Sequence, residues 1–378
     1  MKHALFLTVL VLGFSLSGCL TSEQLSNIEN ENACDSTVQI RESDGTLKIL
    51  TYDIFQGYST ELIEQFVNQT GIEVEIIRTD DAGGILDQMM LTQMAPQADL
   101  MLGLDNTYLP TALRNCLLME HEVTPSNLTT SSQEFYQGPL AVPFDEGDVC
   151  LNYDEDALEA SNITVPTSLW NLTEPQWSGK LAIPSPISSS PGRAFLAATY
   201  DYFTEPSNAE QGNMSDWWKA ITANDAIYTS GWTESYTTYY TGGYGEYTEG
   251  YIGGAFMTVS YCHSPGVEAY FAENYTHSTS LVLPKATFHQ VEYTGIIQGA
   301  AEVDAAQRFI EYLTSPSVNV NMPEYNSMYS VIDGSELPET NGYRYHSDIV
   351  DTETSITSEL IETDMDSWLV AWQAATGN

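Results

Sequence analysis

Thr46-Leu-Lys-Ile-Leu-Thr-Tyr52 opens the stretch that decides the fold, and Asp99-Leu-Met-Leu-Gly-Leu104 closes it. Apolar runs of this length, bounded by turn residues, read as buried strands. Between them, Ser59 or Thr60 caps a helix with Leu62, Ile63, Phe66 and Val67 on one face, and Gly71 stops it. Ile72-Glu-Val-Glu-Ile-Ile77 alternates as a strand. Gly83 and Gly84 then lead into a helix carrying Ile85, Leu86, Met89, Met90 and Met94, which Pro96 ends. The order β-α-β-α-β predicts an α/β fold with a parallel sheet and right-handed crossovers. Ligands of such sheets bind outside the carboxyl ends of the strands. Tyr52-Asp53 follows the first strand and Gly103-Leu104-Asp105-Asn106 the third, so an aromatic ring and two carboxylates converge on one edge. Either aspartate alone would be an ordinary cap or turn residue; the two together mark a candidate site.

A second stretch names the chemistry. Seven tyrosines and Trp232 fall between Tyr228 and Tyr251, with Glu234 and Glu246 among them and no Lys or Arg. Aromatic faces beside carboxylates suit a small organic cation, each well-placed ring adding about 0.5–2 kcal/mol. A Tyr-rich surface edge is the plainer alternative.

The N-terminus gives the address. Lys2 and the apolar run Leu5 to Phe14 form a targeting segment too short to span a bilayer. It ends Leu16-Ser-Gly-Cys19, which resembles the lipobox of secreted lipoproteins. Removal of residues 1–18 would leave Cys19 first, ready for a lipid anchor. Residues 19–45 are rich in Ser, Glu and Asn and read as a solvated tether. The expected location is outside the cytoplasmic membrane, on its outer face.

Cys34, Cys116, Cys150 and Cys262 remain, an even number in an oxidising compartment. Three connectivities are open. Val142 to Tyr153 and Ala255 to Ser260 look like strands crossing between two lobes. If they run side by side, Cys150 and Cys262 are neighbours, which leaves Cys34 with Cys116. There is no Cys-x-x-Cys and the histidines are scattered, so no metal site is expected.

With 52 acidic against 11 basic residues the net charge is -41, which excludes nucleic acid as a partner and disfavours an anionic membrane surface. An acidic, Lys-poor surface suits a saline habitat. It does not by itself establish cation binding, because salt screens charge beyond about 8–10 Å. Ser188-Ser189-Ser190-Pro191-Gly192 starts a helix whose N–H groups could hold a phosphate or carboxylate. Ser367-Trp368 and Trp372 read as a helix packed on a lobe. No nucleophile elbow, phosphate loop, zinc-protease or dinucleotide motif occurs, so the sequence offers no support for an enzyme or for a bound cofactor.

The segments Leu50 to Phe55, Ala98 to Asn106, Val142-Pro-Phe-Asp145, Ser189-Ser-Pro-Gly192, Ser230-Gly-Trp-Thr-Glu-Ser-Tyr236, Val259-Ser-Tyr261 with Ser264-Pro265, Gln290-Val-Glu292 and Asn326-Ser-Met-Tyr329 together carry a resemblance. Over nearly all of positions 46 to 375 the chain resembles the thiamine-binding lipoproteins and periplasmic proteins of ABC importers. That resemblance implies a type II periplasmic-binding-protein clamp of two α/β lobes with a hinge of crossing strands. Lobe I would comprise 46–141 plus about 263–318, and lobe II about 142–262 plus about 319–378. It also implies a monomer that delivers thiamine or its phosphates to permease subunits. Tyr52 and Trp232 would stack on the thiazolium ring and Tyr261 on the pyrimidine. Ser189 and Ser264 would hold the hydroxyethyl end or its phosphate, and Asp105 and Asp145 would accept hydrogen bonds, beside Asp53. Two positions depart from the family pattern. Ser327 stands where a tryptophan is usual, with Tyr325 as a candidate replacement, and Cys262-His263 stand where small residues or Thr are usual. The ligand therefore keeps alternatives within the same fold group: ferric iron, through Tyr239, Tyr240 and His263, or a polyamine. An extracellular glycosidase and a surface-layer role are the readings from other classes.

Overall fold

The computed structural model describes residues 38–53, 58–350 and 355–378. The targeting segment 1–18, the anchor residue Cys19 and Cys34 lie outside them. The end of the expected tether is not free. The Gln39 N–H donates to the Met94 carbonyl at 2.9 Å, and Arg41 pairs with the fully buried Asp99 at 2.6 Å.

Strand β1 (Thr46–Thr51), helix α1 (Tyr58–Thr70), β2 (Glu73–Arg78), α2 (Ala82–Leu91) and β3 (Leu100–Asp105) follow in that order. β1 is parallel to both β2 and β3. Helix α2 ends short of Pro96, because the Thr92 hydroxyl takes the Gln88 carbonyl and closes the last turn. Met94 is left outside the helix and 56% exposed.

Beyond β3 come β4 (Val142–Asp154), β5 (Leu181–Pro184), α3 (Ser190–Thr204), β6 (Ile227–Thr229), β7 (Met257–Tyr261), β8 (Phe288–Ile297) and the last helix, α4 (Ser358–Thr376). The sheet runs β2-β1-β3-β8-β4-β7-β5-β6, with β8 antiparallel to both β3 and β4. Two cores flank it, which gives the two lobes. One gathers Phe66, Leu100, Leu104, Val291 and Phe309; the other gathers Leu151, Phe195, Trp217, Trp218 and Met257. Trp368 and Trp372, one turn apart on α4, both enter the second core.

β4 crosses between the lobes: Val142 and Phe144 belong to the first core, Val149 and Leu151 to the second. Its crossing partner is β8, with Phe288 in the second core and Val291 and Ile296 in the first. The stretch 255–260 does not cross, since Met257 and Val259 of β7 lie wholly in the second core. The physical reason is register: β7 pairs with β4 only over Val149–Tyr153, the half that lies in the second core, whereas β8 pairs with it from Val142 to Val149 and follows it across. Leu283 and Ala286 also lie in the second core, and Met322 lies in the first.

Val149 and Cys150 of β4 pair with Tyr261 and Ser260 of β7. One residue further on, Cys150 and Cys262 form a disulfide with a Cα–Cα distance of 5.0 Å. The bond ties residues 112 apart in sequence, so it restricts the unfolded chain strongly. Replacing both cysteines with serine should lower the unfolding free energy by about 2–4 kcal/mol. Denaturant melts of the two proteins would measure it, and an unchanged midpoint would contradict a structural role.

Candidate functional site

Three carboxylates form a row across the middle of the sheet. Glu292 on β8 stands opposite Asp105 on β3 and opposite Asp145 on β4. All three are buried. Side chains opposed on neighbouring strands lie about 5 Å apart. At that spacing two unit charges repel by about 3 kcal/mol, taking an effective dielectric of about 20. Burial first, and then Asp145 beside it, push the Glu292 carboxyl well above its usual range. Burial likewise raises Asp145, so this pair retains a proton at neutral pH.

The remaining contacts show what holds the row. Glu292 accepts from the Tyr52 hydroxyl at 2.8 Å and from Gln290 at 3.0 Å, and Gln290 also donates to the Tyr261 hydroxyl at 2.9 Å. Asn326 donates to Asp145 Oδ2 at 2.6 Å and to the Tyr52 hydroxyl at 2.8 Å. Glu292, opposite Asp145 across the strands, is its other side-chain hydrogen-bond partner. The Tyr52 ring lies against Gly103, where a Cβ would overlap it, so only glycine fits there. Asp105 accepts from the Thr107 N–H and from the Ser190 hydroxyl of the other lobe. The Arg193 guanidinium, 4.2 Å from the centre of the Tyr108 ring, favours the charged form of Asp105, although burial raises its pKa overall.

A second cluster lies where helices α2 and α3 meet. Asp81 caps α2 by accepting from the Ala82 N–H at 2.7 Å, and it accepts from the Ser190 and Trp232 N–H groups at 3.3 Å each. Burial raises its pKa to about 6. The Gly83 N–H donates to the Ser188 carbonyl at 3.0 Å, so the two lobes touch backbone to backbone. Trp232 stacks on Tyr236 with ring centres 4.8 Å apart, and its indole N–H donates to Ser260 at 2.8 Å. Ser260 in turn shares a 2.8 Å hydrogen bond with Ser264. Thr233 donates to Asp53 at 3.1 Å, again across the lobes. Ser189 is fully buried beside Asp81, whose charged form it favours as a side-chain hydrogen-bond partner.

Tyr52, Asp53, Asp105, Asp145, Ser189, Trp232, Tyr261 and Ser264 therefore all belong to one seam. Asp81 joins them without having been singled out from the sequence, and Glu292 and Asn326 join them from segments that carried the resemblance but had been given no role. Asp81 stands just beyond β2, so the strand-end rule that selects Asp53 and Asp105 could have found it. Glu292 emerges only from antiparallel pairing. The tyrosine-rich stretch divides: Tyr236 and Tyr240 are fully buried, whereas Tyr247 is 83% exposed. Glu234 accepts from the Ser230 N–H and hydroxyl, and Glu246 is exposed. Tyr325 packs on the first core, with Gln65 donating to its hydroxyl. The Tyr240 hydroxyl bonds to Ser278, and burial keeps it far from forming a phenolate. His263 uses Nε2 on the Ser327 carbonyl at 2.7 Å. Among the described residues no cluster of three or more His, Cys, Asp or Glu side chains is set to hold a metal ion.

The raised Asp145 pKa has a sign. The folded chain holds a proton that the unfolded chain releases above about pH 4, so stability falls as pH rises above that value. One retained proton corresponds to about 1.4 kcal/mol per pH unit. Asp145→Asn should flatten the decline of melting temperature between pH 4 and 8 relative to the parent chain. Parallel melting curves for the two proteins would exclude a shared proton at this pair.

The family model for bacterial extracellular solute-binding proteins matches residues 61–343. The thiamine-binding periplasmic protein of Salmonella typhimurium is 24% identical over 332 residues, covering 87% of this chain and 93% of that one. Among solved structures, a periplasmic thiamin binding protein superposes with a TM-score of 0.73 at 22% identity, over 90% of this chain and 100% of its own. Iron-bound HitA from Pseudomonas aeruginosa superposes with a TM-score of 0.63 at 14% identity, over 87% of this chain and 99% of its own. The last two likenesses establish the two-lobed α/β fold.

Proposed function

Because this chain belongs to the bacterial extracellular solute-binding proteins, we propose that it captures thiamine or a thiamine phosphate between its lobes and passes it to an ABC permease. The family binds solutes, and the chain is a binding protein rather than an enzyme. The observation that carries the ligand class is the buried row Asp105–Glu292–Asp145, bordered by Tyr52 and Tyr261. A row of carboxylates that must keep a proton when alone gains from a cation that takes the proton's place. Aromatic faces beside it add selectivity for a flat, delocalised charge.

In this reading Tyr52 and Trp232 face the thiazolium ring and Tyr261 the pyrimidine. Asp53, Asp105 and Asp145 accept from the ligand, and Ser189 and Ser264 serve its hydroxyethyl end. Tyr236, stacked behind Trp232, fixes the plane of the indole. The chain would act as a monomer held by a lipid on Cys19 to the outer face of the membrane. Among the described residues no helix is long and apolar enough to cross a membrane. Capture is a hinge closure. A polyamine would also satisfy the carboxylate row, which is why it belongs in the test.

The purified chain is melted in saline buffer with thiamine, thiamine phosphates, spermidine and ferric citrate in parallel. A ligand at 100 times its dissociation constant adds about 2.7 kcal/mol, which raises the melting temperature visibly. Stabilisation by thiamine or a thiamine phosphate is expected; stabilisation by spermidine or ferric citrate alone would overturn the assignment. Trp232→Ala should weaken thiamine binding by about 1–2 kcal/mol. Unchanged affinity by calorimetry would remove Trp232 from the pocket.

A further inference from the structure

Resting on the thiamine reading, we infer that His289 is a positioning residue for the ligand row: from the opposite face of the sheet it neutralises Glu146, which lets Asp145 exchange its proton for a cation. Successive residues of a strand point to opposite faces, and the neighbours Asp145 and Glu146 of β4 divide in this way. Asp145 meets Asn326 and Glu292 on the ligand side. Glu146 accepts from the Ser131 hydroxyl at 2.9 Å and the Ser132 hydroxyl at 2.6 Å, both on the short helix Thr130–Glu134, and from Thr129 just before it at 3.0 Å. The imidazole of His289, on β8, lies between two carboxylates of β4. Its Nδ1 is 3.1 Å from Asp148 Oδ1 and its Nε2 is 3.4 Å from Glu146 Oε2. One histidine thus joins the two crossing strands on the face turned away from the row.

The other groups on that face are already engaged. Tyr329, on the short strand that pairs with Glu146, donates its hydroxyl to the Asp348 carbonyl. Asp333, Glu336 and Arg344 share a cavity with Glu146, and Arg344 is taken by Glu336 at 2.7 Å and by Glu339 at 3.1 Å. Phe135, packed near the imidazole, carries no charge. Burial works against a charged His289, yet Asp148 and Glu146 raise its pKa to about 10, so it is an imidazolium at neutral pH. The coupling also runs through the sheet: beyond the effect of burial, the charge of Glu146 raises the pKa of Asp145. Two charges about 10 Å apart, at an effective dielectric of about 20, shift one another's titration by about one pH unit. Pairing with His289 offsets that push.

Titration calorimetry of the full chain with thiamine, between about pH 5 and 8, tests this. Because the ligand cation replaces a proton, affinity should rise with pH by up to about tenfold per unit. His289→Gln removes the compensating charge and should weaken binding at neutral pH by about tenfold. Glu146→Gln removes the charge being compensated and should strengthen it by about tenfold. Damage to the hinge alone would weaken both variants, so the opposite signs separate the two causes. A Glu146→Gln affinity at or below that of the parent chain would overturn the inference while the thiamine reading stands, and that variant suffices if His289→Gln does not fold. No thiamine binding by the parent chain at any pH would overturn that reading itself, and the inference with it.

Discussion

The structure turns on the repulsion within one row of carboxylates. Asp105, Glu292 and Asp145 are brought side by side by strand pairing, and none can move away without breaking the sheet that bridges the lobes. Buried carboxylates of this kind must be protonated, hydrogen-bonded or met by a cation. Tyr52, Gln290 and Asn326 supply part of the compensation, and a proton shared between Asp145 and Glu292 supplies the rest. Arg193 supplies positive charge only at the Asp105 end; the Asp145–Glu292 pair has none among its stabilising neighbours, and that deficit is the physical argument for the ligand class.

Closure depends on the same polar chemistry. The lobes meet through Ser190 with Asp81 and Asp105, through Trp232 with Asp81, through Thr233 with Asp53, and through Gly83 with Ser188. These are hydrogen bonds rather than apolar packing, so each is worth only about 0.5–1.5 kcal/mol net, or up to about 3 where a charge takes part. Such a seam can open and close, which a merged hydrophobic core could not. β4 and β8 are the strands that join the lobes, and the Cys150–Cys262 disulfide holds β4 to the end of β7.

The charge of -41 has two separate meanings. Most carboxylates lie on the surface, where salt screens them and they serve solubility. A few lie at the seam, where burial and proximity make them specific. The total count cannot tell these groups apart. Asp145 and Glu234 are both acids beside aromatic residues in the sequence. Asp145 is buried in the row, whereas Glu234 spends its carboxylate on Ser230 four residues away.

The sequence by itself determined the α/β order from Thr46 to Asp105, since apolar period and glycine stops are local properties of the chain. It also determined that Tyr52, Asp53 and Asp105 share an edge, because parallel strands place their carboxyl ends together. The closeness of Cys150 and Cys262 stayed one of three open connectivities in the sequence, and the pairing of β4 with β7 decided it. Tertiary structure alone decided which strand crosses with β4, because only the pairing register shows that β8 runs beside its Val142–Val149 half and β7 beside its Val149–Tyr153 half. It alone set Glu292 between Asp105 and Asp145, since antiparallel register joins residues far apart in the chain and no local pattern encodes it. The strand-end rule could have flagged Asp81, but not that its carboxylate bridges two helices. A cap residue looks the same in sequence whether its carboxylate serves one helix or bridges the N-termini of two.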